Sequence, residues 1–424
     1  MSKFQIVGGR PISGTVTASG NKNAALPMLA AAMLSAEPVT LRNIPPIRDV
    51  DSMLLALEYL GATVEQDGST VRITASDIHQ TELSHELCSR IRTSFLFVAP
   101  LLHRVGRAKV YPPGGDVIGR RRLDAHFYGL TKLGADADEH GFAFSTPNGM
   151  HGADLFFDEA SVTATEHILM AAVLAKGTTT IRNAASEPHV QNLARMLNAM
   201  GARITGLNTN TLTVEGVDSL HGADVEVESD HIEVGSFLAL AAATGGELTV
   251  TGTVRSHYWM INRVFERFGL HLQFGQGTIT LAGNQQPHIQ QDVGGMIPCI
   301  SDGPWPQFPS DLMSSILVLA TQTEGTVLIF EKMFESRLYF ADPLKQMGAS
   351  IIVCDPHRVV VSGRTQLRGQ HLRSPDIRAG IALVSAALCA DGMSYVDNAE
   401  IIDRGYQAIE NRLQALGGHI ERVD

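Results

Sequence analysis

A carboxylate and three guanidiniums share the stretch YPPGGDVIGRRRLDAH, Tyr111 to His126. Gly114, Gly115 and Gly119 flank Asp116, and Arg120, Arg121 and Arg122 follow directly. Glycine visits backbone conformations that other residues avoid, so a loop of this composition can move. An acid on such a loop can deliver a proton, and guanidinium forks behind it suit phosphate or carboxylate groups. A solvated surface turn has the same composition. The rest of the chain decides between the two.

More polar chemistry stands just before six apolar runs: SGNKNAAL with Lys22 and Asn23, CSRIRTSF with Arg90 and Arg92, EASVTATEHI with Ser161 and Thr163, ESDHIEVGSF with Asp230 and Glu233, FPSDLMSS with Asp311, and RSPDIRAGIA with Asp376 and Arg378. Ser, Asp and Asn at such positions are ordinary helix N-caps, which is enough to explain Ser161 and Ser374. Lys22, Arg92 and Arg378 need more, because a cation at a helix start opposes the macrodipole. Free amides with an added cation suit a bound anion. The chain carries 33 Lys and Arg against 44 Asp and Glu, a formal charge of −11, so local cationic clusters stand out. The same balance argues against coating a nucleic acid. The expected partners are small molecules with several anionic groups, with no nucleic acid and no membrane.

The elements that must position these residues repeat. An apolar residue, a Gly and a strand-like alternation recur at Gly61, Gly134, Gly201, Gly269, Gly348 and Gly417, roughly every 70 residues. Gly after a last helical turn reads as a C-cap. A second signature ends each apolar run, clearest at Gly177, Gly246, Gly325 and Gly392, with weaker copies at Gly106 and near Glu37. Each unit therefore holds two helices and several strands. The second-signature helix, as in AALPMLAAAML or IALVSAALCA, is apolar nearly all round and must be buried. The other, as in DSMLLALEYLGA, has a mixed face and should lie nearer the surface. Six units suggest two domains of three units each.

Other chemistries lack their residues. Cys88, Cys299, Cys354 and Cys389 show no metal-ligand spacing, which fits free thiols in a reducing compartment. No HExxH pair and no GxxxxGK[ST] loop is present, so no metal and no cofactor is expected. The start MSKFQIVGGRPISG does not read as a signal peptide, and no apolar run approaches the roughly 20 residues of a membrane span. A cytoplasmic location is expected.

SGNKNAALP, PPGGDVIGRRRLDAH, ASVTAT, FPSD, MFESR, SPDIRAG and DRGYQAIENRLQALG, in this order and spacing, resemble the UDP-N-acetylglucosamine enolpyruvyl transferases, from about Gly8 to Val423. The resemblance implies an α/β fold, a two-domain inside-out α/β barrel of six βαβαββ repeats with buried helices. One domain would comprise 1–21 plus 231–424, carrying the base and the C-terminal arginine. The other would be 22–230, carrying Lys22 and the 112–124 lid loop. The implied reaction moves the enolpyruvyl group of phosphoenolpyruvate to the 3′-hydroxyl of UDP-N-acetylglucosamine and releases phosphate, the first committed step of peptidoglycan synthesis.

Roles carry over with the motifs. Lys22 resembles a lysine that holds phosphoenolpyruvate, Asn23 a sugar contact and Arg92 a nucleotide-sugar ligand. Arg121 and Arg404 resemble the clamp on the phosphate and carboxylate of phosphoenolpyruvate. Arg121, Arg122, Leu123 and Asp124, with Ser161 and Val162, resemble the uridine-diphosphate pocket. Asp311 resembles the base beside the attacking hydroxyl, with Met333 and Arg337 lining the same cleft. Asp376 and Arg378 resemble a catalytic pair at the last buried helix.

Asp116 departs from the family, most of which has cysteine there. Its ordinary pKa near 3.9 is too low for a proton donor at neutral pH unless loop closure desolvates it or sets it beside the substrate phosphate. The family is alkylated by the epoxide fosfomycin at that cysteine, so this chain is expected to be insensitive. Arg122-Leu123, Glu159, Thr163 and His231 also replace the usual residues. Three alternatives follow: transfer to another nucleotide such as UMP, transfer to shikimate 3-phosphate, or a non-catalytic nucleotide-sugar binder.

Overall fold

The structure, a computed structural model, describes residues 2–115, 118, 119, 121–138 and 141–423. Its described residues form six small sheets, five of four strands and one of three. Every four-stranded sheet is built alike. In one, Asp154–Phe156 runs parallel to Thr178–Arg182, which pairs antiparallel with Thr211–Glu215, and that strand pairs antiparallel with Arg203–Thr205. The parallel pair needs a crossover. The Val162–Ala172 helix supplies it, and the Pro188–Ala199 helix then leads into the antiparallel hairpin. The three-stranded sheet, Arg107–Lys109, Ala143–Ser145 and Asp136–Ala137, keeps its parallel edge only as the bridge between Glu82 and Lys109.

The chain folds into two units, 1–19 with 116–121 and 229–424, and 20–115 with 122–228. Two edge strands mark where it passes from one to the other. Gly14–Thr17 is the parallel edge of the Leu248–Thr251 strand, and Asp224–Glu226 is the parallel edge of Val39–Arg42. Lys3–Val7 completes the last sheet between Met393–Asp397 and His419–Val423. The sequence reading sets its boundaries two residues later and places the whole 112–124 loop with 22–230. Of that loop, Ile118, Gly119 and Arg121 group with the first unit, where the Ser336 amide donates to the Ile118 carbonyl at 3.3 Å and the Ile118 side chain is buried.

In each unit three apolar helices pack on one another behind the sheets. They are His231–Thr244, Ser310–Thr321 and Ile377–Cys389 in the first unit. The second unit has Lys22–Ala31, Val98–Val105 continuing the tight turn Arg92–Phe97, and Val162–Ala172. A side chain at Gly235 would stand 2.7 Å from the Leu312 methyl, so glycine sets how closely two of these helices approach. The sheets cover helices that are buried on every side, as their composition requires.

The six first-signature glycines all have positive φ, from 68° at Gly269 to 107° at Gly61. The second signature is off by one residue at Gly246. The left-handed residue is Gly245, with φ 73°, while a Cβ at Gly246 would collide with the Ile12 carbonyl oxygen at 1.9 Å. No described helix is long and apolar enough to cross a membrane.

Candidate active site

In the first unit a single carboxylate ties two inner elements together. Asp311, in the first turn of its helix, accepts from Arg337 Nη2 on Oδ1 at 2.8 Å and from Arg378 Nε on Oδ2 at 3.0 Å. Arg337 is 4% and Arg378 5% exposed, so neither charge is left to water and each needs this partner. Arg378 also donates to the Tyr406 hydroxyl at 3.0 Å, which lies 3.1 Å from Ser236 Oγ. Burial works against the charge on Arg378, but Asp311, Tyr406 and Asp230 outweigh it and raise its pKa above the ordinary value.

Two supports hold this cluster. Asp376 caps its own helix, its Oδ1 accepting from the amides of Arg378 at 2.8 Å and Ala379 at 2.9 Å. Ser310, next to Asp311, donates to the buried Glu331 carboxyl at 2.9 Å. The Phe334 amide donates to the same Glu331 oxygen at 3.1 Å, and the neighbouring Asp302 carboxylate accepts from the Lys332 amide. Burial, then the adjacent Asp302, push Glu331 well above the usual carboxylate range, so it holds a proton at neutral pH. His231 is buried beside His257 and Trp305 and is held at about 3 by burial first, with His257 and Arg378 adding to it, so it is a neutral imidazole.

Met333 is exposed, and Arg404 is half-buried just after the short helix Ala399–Ile402. Arg121 is half-buried at the end of 116–121. Asp116 lies outside the described residues.

The second unit holds the remaining candidates. Lys22 opens its inner helix, Asn21 capping the Ala24 amide, and the Lys22 ammonium meets the Asp49 carboxylate at 2.6 Å with both side chains nearly buried. Asn23 beside it is half-buried. Arg92 Nη2 donates to the Arg122 carbonyl at 2.9 Å, and Arg122 pairs with Asp124 at 3.0 Å on the surface. Leu123 between them is half-buried. Ser161 caps the next inner helix through the Ala164 amide, with Val162 and Thr163 in its first turn.

Lys22 and Arg378, two of the cations that open inner helices, thus have carboxylate partners, Asp49 and Asp311. Both partners neutralise a charge that the helix start disfavours. Sequence reasoning missed Asp49, Tyr406, Glu331 and Asp302, because nothing local marks a residue that acts across the fold. It also missed the buried imidazoles of His126 and His167. Among the described residues, no three His, Cys, Asp or Glu side chains converge as a metal site requires.

Residues 6–413 match the EPSP synthase family, described as 3-phosphoshikimate 1-carboxyvinyltransferase. The chain is 49% identical over 424 residues to a UDP-N-acetylglucosamine 1-carboxyvinyltransferase of Borreliella burgdorferi, covering 100% of this chain and 99% of that protein. To the enzyme of the same name from Treponema denticola it is 50% identical over 423 residues, covering 99% of each. Its fold is that of the enolpyruvyl transferase NikO from Streptomyces tendae, with a TM-score of 0.88, 24% identity, and coverage of 100% of this chain and 99% of that one. The chain belongs to the EPSP synthase family, among its UDP-N-acetylglucosamine 1-carboxyvinyltransferases.

Proposed function

We propose that the chain transfers the enolpyruvyl group of phosphoenolpyruvate to the 3′-hydroxyl of UDP-N-acetylglucosamine by addition and elimination. The observation that carries this reading is the Asp311 carboxylate held by Arg337 and Arg378 at an inner-helix start. A carboxylate fixed at both oxygens has one orientation in which to accept the hydroxyl proton. Lys22, Arg121 and Arg404 hold the phosphate and carboxylate of phosphoenolpyruvate. Asn23, Arg92, Arg122, Leu123, Asp124, Ser161, Val162 and Met333 bind the nucleotide sugar. Arg337 and Arg378 orient Asp311, and Asp376 fixes the helix start from which Arg378 extends.

The acid is Asp116. It gives a proton to the methylene carbon of phosphoenolpyruvate, and the sugar oxygen bonds to the adjacent carbon as Asp311 takes the hydroxyl proton. The Asp116 carboxylate then takes a proton back from the new methyl group, the double bond reforms, and the C–O bond to phosphate breaks, the phosphate leaving with the proton that Asp311 had taken. Preorganised cations stabilise the charge that develops on the departing phosphate. The domain assignment belongs to the same reading: Lys22 stands in the 22–230 domain, Asp311 and Arg404 in 231–424.

Phosphate release from phosphoenolpyruvate, with UDP-N-acetylglucosamine, UMP and shikimate 3-phosphate offered separately, tests this. Release with the nucleotide sugar alone is expected. Release with UMP or shikimate 3-phosphate and none with the nucleotide sugar would move the acceptor elsewhere. No release with any of them, with UDP-N-acetylglucosamine still bound, would leave a binder.

A further inference from the structure

A chain of hydrogen bonds runs through the core of the second unit and ends on a half-buried hydroxyl. The Ala99 amide donates to His167 Nε2 at 3.1 Å, His167 Nδ1 lies 3.0 Å from His126 Nδ1, and His126 Nε2 lies 3.1 Å from Thr163 Oγ1. His126 is 2% and His167 0% exposed, and Phe95 packs edge-on against both rings at 5.2 and 5.4 Å.

The first donor decides the rest. A backbone N–H can only donate, so His167 Nε2 must accept. A neutral imidazole carries one proton, which then sits on Nδ1. That proton goes to His126 Nδ1, so His126 carries its own proton on Nε2 and donates to Thr163. Burial, with smaller contributions from the other imidazole and from Arg92, keeps His126 well below its ordinary value, and burial holds His167 at about 3. Both rings are therefore neutral, as the assignment needs.

Thr163 Oγ1 thus has one lone pair occupied by a fixed donor, and its own proton must go elsewhere. No acceptor for it is found among the described residues. Thr163 follows Ser161 and Val162 in the first turn of an inner helix, where amide protons and the positive end of the dipole favour an anion. We infer that Thr163 is a specificity-determining residue whose hydroxyl, oriented by the His167–His126 relay, donates to a phosphate oxygen of the bound nucleotide. This rests on the reading of Ser161 and Val162 as nucleotide contacts. The relay fills one acceptor position of the hydroxyl and leaves its proton to be given outward, which suits a phosphate oxygen.

The test is binding of UDP and of uridine to wild type, Thr163→Ser and Thr163→Val. Serine keeps the hydroxyl and is expected to hold UDP within about twofold, whereas valine should weaken UDP about tenfold or more, the size expected of a hydrogen bond to a charged acceptor. Uridine, which lacks phosphate, should bind all three alike. Thr163→Val also leaves the His126 proton unpaired and lowers thermal stability, but a purely structural effect would weaken uridine and UDP equally. Long-range 1H–15N spectra should show His126 protonated on Nε2 and His167 on Nδ1. The inference is overturned if folded Thr163→Val binds UDP like wild type, or if His126 carries its proton on Nδ1. If wild type itself does not bind UDP, the nucleotide reading fails first and takes this inference with it.

Discussion

Arg378 Nε and Asp311 Oδ2 lie 3.0 Å apart and join the first turns of two inner helices whose residues are 67 positions apart in sequence. The pair sets the rotamer of the proposed base from a neighbouring repeat. It also shows how the architecture makes a site, since the proposed base and its partner both stand in the first turns of inner helices.

Asp311→Asn keeps the shape and removes the proton acceptor. The turnover number is expected to fall about 10²- to 10⁴-fold, the usual contribution of a general base. Binding of UDP-N-acetylglucosamine, followed by calorimetry, should change little. Because two buried guanidiniums lose their counter-charge, stability should also fall, by less than the roughly 3–5 kcal/mol of a fully buried pair since Asp311 is 29% exposed. Near-normal turnover would remove Asp311 from the mechanism.

Asp49 is not itself a proposed substrate contact and bears on the site through Lys22. Asp49→Asn should raise the KM for phosphoenolpyruvate more than it lowers kcat, because Lys22 loses its orienting partner rather than its charge. Steady-state kinetics at varied phosphoenolpyruvate check this. Equal losses in both constants would indicate a general structural role.

Glu331 makes a prediction about pH and stability. Its folded pKa is raised, so above its ordinary value of 4.5 the folded state holds a proton that the unfolded chain has released. Stability from this group is present below pH 4.5 and is lost as pH rises towards the raised value. Glu331→Gln removes the titration. The buried His126, His167 and His231 have lowered values and act in the opposite sense, losing stability as pH falls below 6.5, equally in both proteins. The stability of wild type minus that of Glu331→Gln should therefore fall from about pH 5.5 upward, by at most about 1.4 kcal/mol per pH unit. Urea denaturation at several pH values measures it, and a difference that rises with pH would show that Glu331 is ionised in the fold.

Much of this was legible in the chain itself. Helix ends could be read because Gly61 and its five counterparts carry a left-handed conformation that only glycine adopts easily. Inner helices could be read because a sequence such as LALAAAT has no polar face to turn outward. What could not be read is partnership across repeats. Nothing near Asp311 announces Arg337 or Arg378, and the protonated state of Glu331 depends on burial beside Asp302, which is set only by the packed fold. His126 and His167 lie 41 residues apart, and neither has a local signature for a ring partner. The one-residue error at Gly246 arose because two adjacent glycines satisfy the same pattern. The choice between them is made by the Ile12 carbonyl, supplied by a distant segment.

The loop carboxyl is read from sequence alone. A thiolate opens an epoxide readily, whereas a carboxylic acid that must carry a proton does not. Wild type should keep full turnover after incubation with fosfomycin. None of Cys88, Cys299, Cys354 and Cys389 falls within residues 112–124. Cys88, which accepts from the Tyr111 amide at 3.4 Å, is buried, and that burial pushes its thiol up and away from the reactive thiolate. Asp116→Cys should gain time-dependent inactivation, seen as a covalent mass increase on the peptide that contains the substituted position. Covalent loss of wild-type activity through Asp116 would contradict the assignment.

The central claim is addition followed by elimination at phosphoenolpyruvate, and product mass after reaction in D2O tests it most directly. Delivering a deuteron to the methylene carbon gives a methyl group that later loses one hydrogen isotope. The nucleotide-sugar product should therefore carry the enolpyruvyl ether with deuterium in its vinyl group, one phosphate should appear per ether formed, and Asp116→Ala should form neither. Phosphate released without the ether, or an ether free of deuterium, would contradict the account.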